Sequence, residues 1–170
     1  MPASKNVLTA TCACGQVAYE ATGKPIVSVV CYCDDCQEAA RRIATLRNAP
    51  PILDPDGGTA FIAYRKDRIR CTKGTALLVK HKLRESSPTN RVTAACCNAA
   101  MVLNFDDSKH WVSMYRARFQ GDAAPPQMRI CTKSKPGRGA LPRDIPSYPG
   151  YPFRFIAKLI AARFAMMLGR

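Results

Sequence analysis

The 170-residue chain has few histidines, few acidic residues and no long apolar runs. Its two histidines, His81 and His110, fall outside any motif. Val79-Lys80-His81-Lys82 reads as a charged, solvated strand face, and His110 as a loop residue before Trp111. A cysteine nucleophile needs a base within reach, so this scarcity argues against a Cys–His enzyme. No stretch approaches the ~18 uninterrupted apolar residues of a membrane span. Met1 to Ala10, MPASKNVLTA, lacks the basic segment and apolar run of a secretory leader. The expected compartment is therefore the reducing cytoplasm, where disulfides are rare. The nine cysteines, an odd number, are expected there as thiols or thiolates.

The shortage of acid is uneven. Residues 1–108 hold fourteen Lys and Arg against ten Asp and Glu, whereas residues 109–170 hold twelve against two. A basic half attracts acidic proteins, anionic lipids or nucleic acid through a salt-sensitive, non-specific pull. Tyr115, Arg116, Arg118 and Phe119 interleave aromatic and basic side chains. Strand pairing and solvation explain that run equally well, so specific nucleic-acid binding is not expected.

Strand-like alternation dominates the first 120 residues. Val7–Cys12, Gln16–Glu20, Ile26–Val30, Thr59–Tyr64, Arg68–Thr72, Leu77–Leu83, Arg91–Ala95, Met101–Phe105 and Trp111–Tyr115 read as short strands. Gln37 to Ala44 suits a short helix, and Pro50-Pro51 with Asp54-Pro55-Asp56-Gly57-Gly58 turns the chain. The expectation is a mainly β domain over 1–120. Seven of the thirteen prolines lie in 121–152, read as an extended, partly mobile connector. In 153–170, Phe155, Ile156, Leu159, Ile160, Phe164, Met167 and Leu168 recur at helical spacing between Arg154, Lys158 and Arg163. That pattern predicts a basic amphipathic helix that packs on the domain, on a second copy, or on a membrane surface.

The chemistry lies in the cysteines. Cys31-Tyr32-Cys33-Asp34-Asp35-Cys36 places three sulfurs within six residues. Three protein ligands around tetrahedral zinc leave one position open, as a catalytic zinc requires. Asp34 and Asp35 inside this loop are candidates for a helix cap or for proton transfer beside the metal. Cys12-Ala13-Cys14 offers a second pair, with Cys96-Cys97 as its partner. Neighbouring strand side chains point to opposite faces, so two adjacent cysteines reach one ion only in a tight turn. The second set is thus Cys12, Cys14 and Cys97, with Cys96 or water fourth. Cys71 and Cys131 read as small buried hydrophobes.

This order of motifs, Cys12-Ala13-Cys14-Gly15, then Cys31 to Cys36, then a late cysteine at 97, resembles the glutathione-dependent formaldehyde-activating enzyme family, which includes the centromere protein V group. The run Val30–Gln37 with Leu53–Thr59 looks like an uncharacterised bacterial branch. The resemblance spans roughly residues 8–118. It implies a mainly β, Mss4-like zinc-binding β-sandwich of short antiparallel strands. It further implies a structural zinc on the CxC pair and a late CxxC pair, and a reactive zinc on CxCxxC. The family's named reaction condenses formaldehyde with glutathione to S-hydroxymethylglutathione, so glutathione is an implied co-substrate. One departure matters. Aligning Cys97-Asn98-Ala99 with the family's late CxxCGT places Ala94 where its first cysteine belongs, and Cys96 stands as the neighbouring substitute.

Three functions follow from this reading. The first is a zinc-dependent carbon–sulfur lyase acting on a small thiol adduct, with one or two zinc ions. The second is a non-enzymatic zinc module binding an acidic partner, nucleic acid or an anionic membrane through its basic half, alone or as a homo-oligomer. The third is a redox sensor or metal store.

Overall fold

A computed structural model describes residues 7–169; residues 1–6, and Arg170 at the end of the helical range, lie outside the described residues. Among the described residues, ten strands and two α-helices make a mainly β fold, as expected. In chain order the strands are β1 (Val7–Thr11), β2 (Ala18–Thr22), β3 (Val27–Cys31), β4 (Thr59–Arg65), β5 (Ile69–Lys73), β6 (Leu78–His81), β7 (Thr89–Ala94), β8 (Ala99–Phe105), β9 (Trp111–Tyr115) and β10 (Met128–Ile130). The helices are α1 (Asp34–Ala44) and α2 (Phe153–Met167).

A three-stranded sheet, β1-β2-β5, faces a seven-stranded sheet ordered β10-β3-β4-β9-β8-β7-β6. Residues in β4 alternate between two cores, the period-two signature of a strand buried on both faces. Ile62 and Tyr64 join Ala10, Val17, Tyr19 and Met114 between the two sheets. Phe61 and Ala63 join Val27, Val29, Cys31 and Ile43 on the other face, which α1 and α2 cover. All five residues of β3 are buried, so the strand that ends in Cys31 is held from both sides.

Two features depart from the sequence reading. The helix after the cysteine motif starts at Asp34 rather than Gln37, so Cys36 lies in its first turn. The second is β10, a strand within the proline-rich stretch. It pairs in parallel with β3, Ile130 opposite Cys31, whereas only antiparallel pairs were expected. The prolines flank it, at 125–126 and from 136 onward, and leave its amides free to pair.

A buried arginine ties this stretch down. The Arg129 guanidinium donates to Asp144 at 2.7 Å and stands 4.0 Å from Asp56. Asp56 in turn accepts from the Tyr32 hydroxyl at 2.6 Å. Backbone bonds from Arg129 to Pro146 and from Tyr148 to Arg129 add a further extended segment beside β10. Tyr32 also needs Gly58. A β-carbon there would come within 2.8 Å of the Tyr32 ring and 2.3 Å of Val30.

Helix α2 is tied to the sheet by Leu159, which is buried, and by His110, whose Nε2 donates to the Leu159 carbonyl at 2.8 Å. His110 Nδ1 is buried without a partner among the described residues. Burial lowers the His110 pKa, and Arg163, Lys66 and Arg65 add to that against the opposing Leu159 bond. The folded chain thus resists a proton that the unfolded chain accepts near pH 6.5. Stability from this contact is full above that pH and falls as pH drops toward the lower, folded value. Thermal melts between pH 7.5 and 5 are expected to show this loss, and His110→Gln is expected to flatten the slope. Arg129→Ala leaves Asp56 and Asp144 without their cation and is expected to cost about 2 kcal/mol by denaturant titration.

Candidate metal centre

Local backbone geometry brings the cysteines together. At the first site, β1 ends and turns through Cys12-Ala13-Cys14-Gly15, closed by the Gly15 amide on the Cys12 carbonyl. Opposite it lies the turn between β7 and β8. The amides of Cys97 and Asn98 both bond the Ala94 carbonyl, and Asn98 takes a left-handed conformation with φ 53°. Cys96 and Cys97 therefore lie in a tight turn rather than in a strand, and both sulfurs face Cys12. The Sγ distances are 3.6 Å for Cys12–Cys14, 3.7 Å for Cys12–Cys96 and 4.0 Å for Cys96–Cys97. All four sulfurs lie within 4.8 Å of one another. A tetrahedron with zinc–sulfur bonds of about 2.3 Å has sulfur–sulfur edges of about 3.8 Å. The three distances above come near that figure, so this group can hold a metal ion. Ala94 is fully buried in the core between the sheets.

Burial pushes the Cys12 thiol up, but the Val17 amide and the thiols of Cys14, Cys96 and Cys97 outweigh it and bring it down to about 6. Burial and hydrogen bonding to Cys14 and Cys12 push Cys96 up to about 12.

At the second site, Cys31 ends β3 and Cys33 is the N-cap residue of α1, its carbonyl accepting from the amides of Cys36 and Gln37. Cys36 is buried in the first turn. The three sulfurs lie within 4.8 Å of one another. Cys31 and Cys36 donate to Cys33 and hold its pKa at about 3 against burial, aided by the Cys36 amide and Arg91. Hydrogen bonds to Cys131, Cys33 and Cys36 push the Cys31 thiol far up. The trio thus carries one thiolate and two thiols, a set that can hold a metal ion once the protons leave. Neither aspartate caps the helix through its side chain. Both lie in its first turn, where negative charge suits the helix dipole, and Asp35 also pairs with Arg84 at 3.3 Å.

Sequence reasoning missed two contributors. Arg91 on β7 is 3 % exposed, bonds the Asp35 carbonyl at 3.1 Å, and faces Cys33 and Cys36. Among the described residues no carboxylate pairs with it, so its charge offsets that of the Cys33 sulfur. Nothing in the linear pattern of β7 marks it. Cys131, read as packing, is indeed buried in the apolar cluster, yet Cys31 and the Tyr151 hydroxyl beside it bring its thiol down to about 7 against burial. It follows β10 in a left-handed conformation, φ 56°. Cys71 is remote and bonds the Lys73 carbonyl and Thr75. His81 bonds Thr93 at 2.9 Å, and neither histidine joins a cysteine group.

The trio opens onto a cavity of about 350 Å³. Phe61 and Leu103 form its floor, Phe105 and Trp111 its rim, and Phe155 and Ile156 of α2 its roof.

Residues 7–49 match the model of the glutathione-dependent formaldehyde-activating enzyme family. The matched stretch holds both CxC and CxCxxC, the motifs on which the family resemblance rested; the late cysteines lie beyond it. No curated protein matches the chain. A crystal structure of a Rhodobacter sphaeroides protein is similar at 15% identity with a TM-score of 0.47, covering 82% of this chain and 99% of that one.

The expectation that Cys96 stands in for a cysteine missing at Ala94 is open to direct test. Cys96→Ser and Cys97→Ser are each expected to remove about one metal equivalent and to lower the melting midpoint. The CxCxxC equivalent should remain. Elemental analysis of the purified variants checks this, and full metal content in Cys96→Ser would contradict the substitution.

Proposed function

We propose that the chain is a zinc-dependent carbon–sulfur lyase acting on a small thiol adduct. Cys31, Cys33 and Cys36 hold the zinc at which the adduct binds, and Cys12, Cys14, Cys96 and Cys97 hold a structural zinc. The observation that carries this reading is the contrast between the two sites. The first gathers four sulfurs within 4.8 Å of one another, enough to close around one ion. The second gathers three beside a cavity, with no fourth ligand in the compact group among the described residues. Closed sets are structural and open sets catalytic.

The reaction is RS–CH2OH giving RSH and CH2=O, or its reverse. The carbon–sulfur bond breaks, the hydroxyl proton leaves as the carbonyl forms, and the sulfur takes up a proton. When bound, zinc supplies Lewis acidity that stabilises thiolate or polarises a carbonyl. The protein's part is separate. Arg91 offsets the negative charge of the sulfur-rich wall, and the apolar roof keeps water from the adduct. The match over residues 7–49 supports the same chemistry.

The test is exchange between formaldehyde, thiol and S-hydroxymethyl adduct, followed by NMR. Zinc-loaded protein is expected to speed exchange at least a hundredfold over Cys33→Ala, which keeps the first site. Equal rates would refute the lyase reading.

A second reading concerns α2. Its inward side carries Phe155 and Leu159, while Phe153, Ile160, Phe164 and Met167 are exposed, at 85%, 50%, 58% and 71%. Arg154, Lys158 and Arg163 flank them and the helix has no acidic residue. Among the described residues no helix is long and apolar enough to cross a membrane. Apolar exposure with one sign of charge fits an anionic lipid surface. Co-sedimentation is expected with phosphatidylserine vesicles, not with phosphatidylcholine vesicles, and Phe164→Asp is expected to abolish it. Self-association of the lipid-free protein that Phe164→Asp disrupts would assign this face to a second copy.

A further inference from the structure

The cavity's walls speak to its substrate, on the reading that the CxCxxC site takes a thiol adduct. The lining is mostly hydrocarbon and aromatic, and apart from charged groups its side chains offer only the Thr89, Ser113 and Tyr151 hydroxyls and the Trp111 indole N–H, too few to satisfy a polar body. Three charged side chains line the cavity, and two of them are paired elsewhere. Lys109 pairs with Asp107 and lies 4.7 Å above the Phe105 ring. The Asp35 carboxylate turns to Arg84. Arg91, buried and bonded to the Asp35 backbone, faces the cysteine sulfurs. A peptide thiol such as glutathione brings two carboxylates, an ammonium and two amides. Most of these would enter this cavity unpaired, which is costly in a low-dielectric site.

We infer that the cavity accepts an alkyl or aryl thiol adduct with an uncharged body, its sulfur at the Cys31–Cys33–Cys36 wall and its apolar body against Phe61, Trp111 and the underside of α2. The volume of about 350 Å³ lies at the lower end of the small-ligand range and fits a body of about ten non-hydrogen atoms. The roof comes from a helix more than a hundred residues beyond the family-matched stretch, so the selectivity belongs to this chain's own tail.

Trp111 is the chain's single tryptophan and lines the cavity rim, so its emission reports occupancy without turnover. Zinc-loaded protein is titrated with 2-phenylethanethiol, glutathione and 2-phenylethanol. The expected result is a blue shift with 2-phenylethanethiol at an affinity at least tenfold above that for glutathione, and weaker binding of the alcohol, which lacks the sulfur. Ile156 is 40% exposed on the helix, so Ile156→Arg should leave the fold intact. That variant is expected to weaken 2-phenylethanethiol binding at least fivefold and to narrow the preference. Equal or tighter binding of glutathione, or no response to 2-phenylethanethiol, overturns the inference. Because binding is read apart from turnover, tight 2-phenylethanethiol binding with no catalysed exchange would count against the lyase chemistry and leave the pocket's selectivity standing.

Discussion

Negative charge on sulfur is expensive to bury, and much of this structure serves to make that burial tolerable. Three cysteines in six residues cannot all ionise in an apolar cluster without compensation. The fold supplies three kinds. Cys31 and Cys36 donate hydrogen bonds to one shared anion on Cys33. The start of α1 brings an amide and the positive end of a helix dipole to the same point. Arg91 brings a full charge from β7, three strands away across the sheet from β4. A bound cation would take over much of this work, and the apolar surroundings then become an advantage, since they strengthen every charge interaction inside the site.

The same logic separates the two cysteine groups. The first lies where two turns meet at the end of the core between the sheets, and four sulfurs close on one point. It can join β1 to the β7–β8 hairpin, elements distant in sequence that share little other contact. The second lies at the end of a fully buried strand and beside a helix start, with its fourth side left to a cavity. Closure suits stability and openness suits chemistry. Tyr32, between two of these cysteines, turns the other way. Its bond to Asp56 and the Arg129 network carry the proline-rich segment back under the site, which in turn positions Cys131, Tyr151 and α2.

Much of this was legible in the residues. Strand-like alternation and β-branched runs pointed to nine of the ten strands among the described residues, since strands buried on one face leave the first imprint and strands buried on both leave the second. Both cysteine groups were legible because thiols seldom cluster in sequence by packing alone. The strand β10 was not, since three residues among prolines carry no periodicity; its pairing depends on β3, about a hundred residues earlier. The reach of Cys96 was only partly legible. It depends on a left-handed Asn98 closing the turn, which adjacent cysteines do not announce. Arg91 was invisible for a similar reason. A lone arginine in a strand normally faces solvent, and only the sheet order turns this one toward sulfur.

X-ray absorption at the zinc edge, with elemental analysis of freshly purified reduced protein, tests the central claim most directly. The account predicts two zinc ions per chain, bound mainly by sulfur at about 2.3 Å, with a minor lighter-atom ligand from the open site. Protein that holds no zinc under conditions that preserve it, or zinc bound mainly through nitrogen and oxygen, would contradict it.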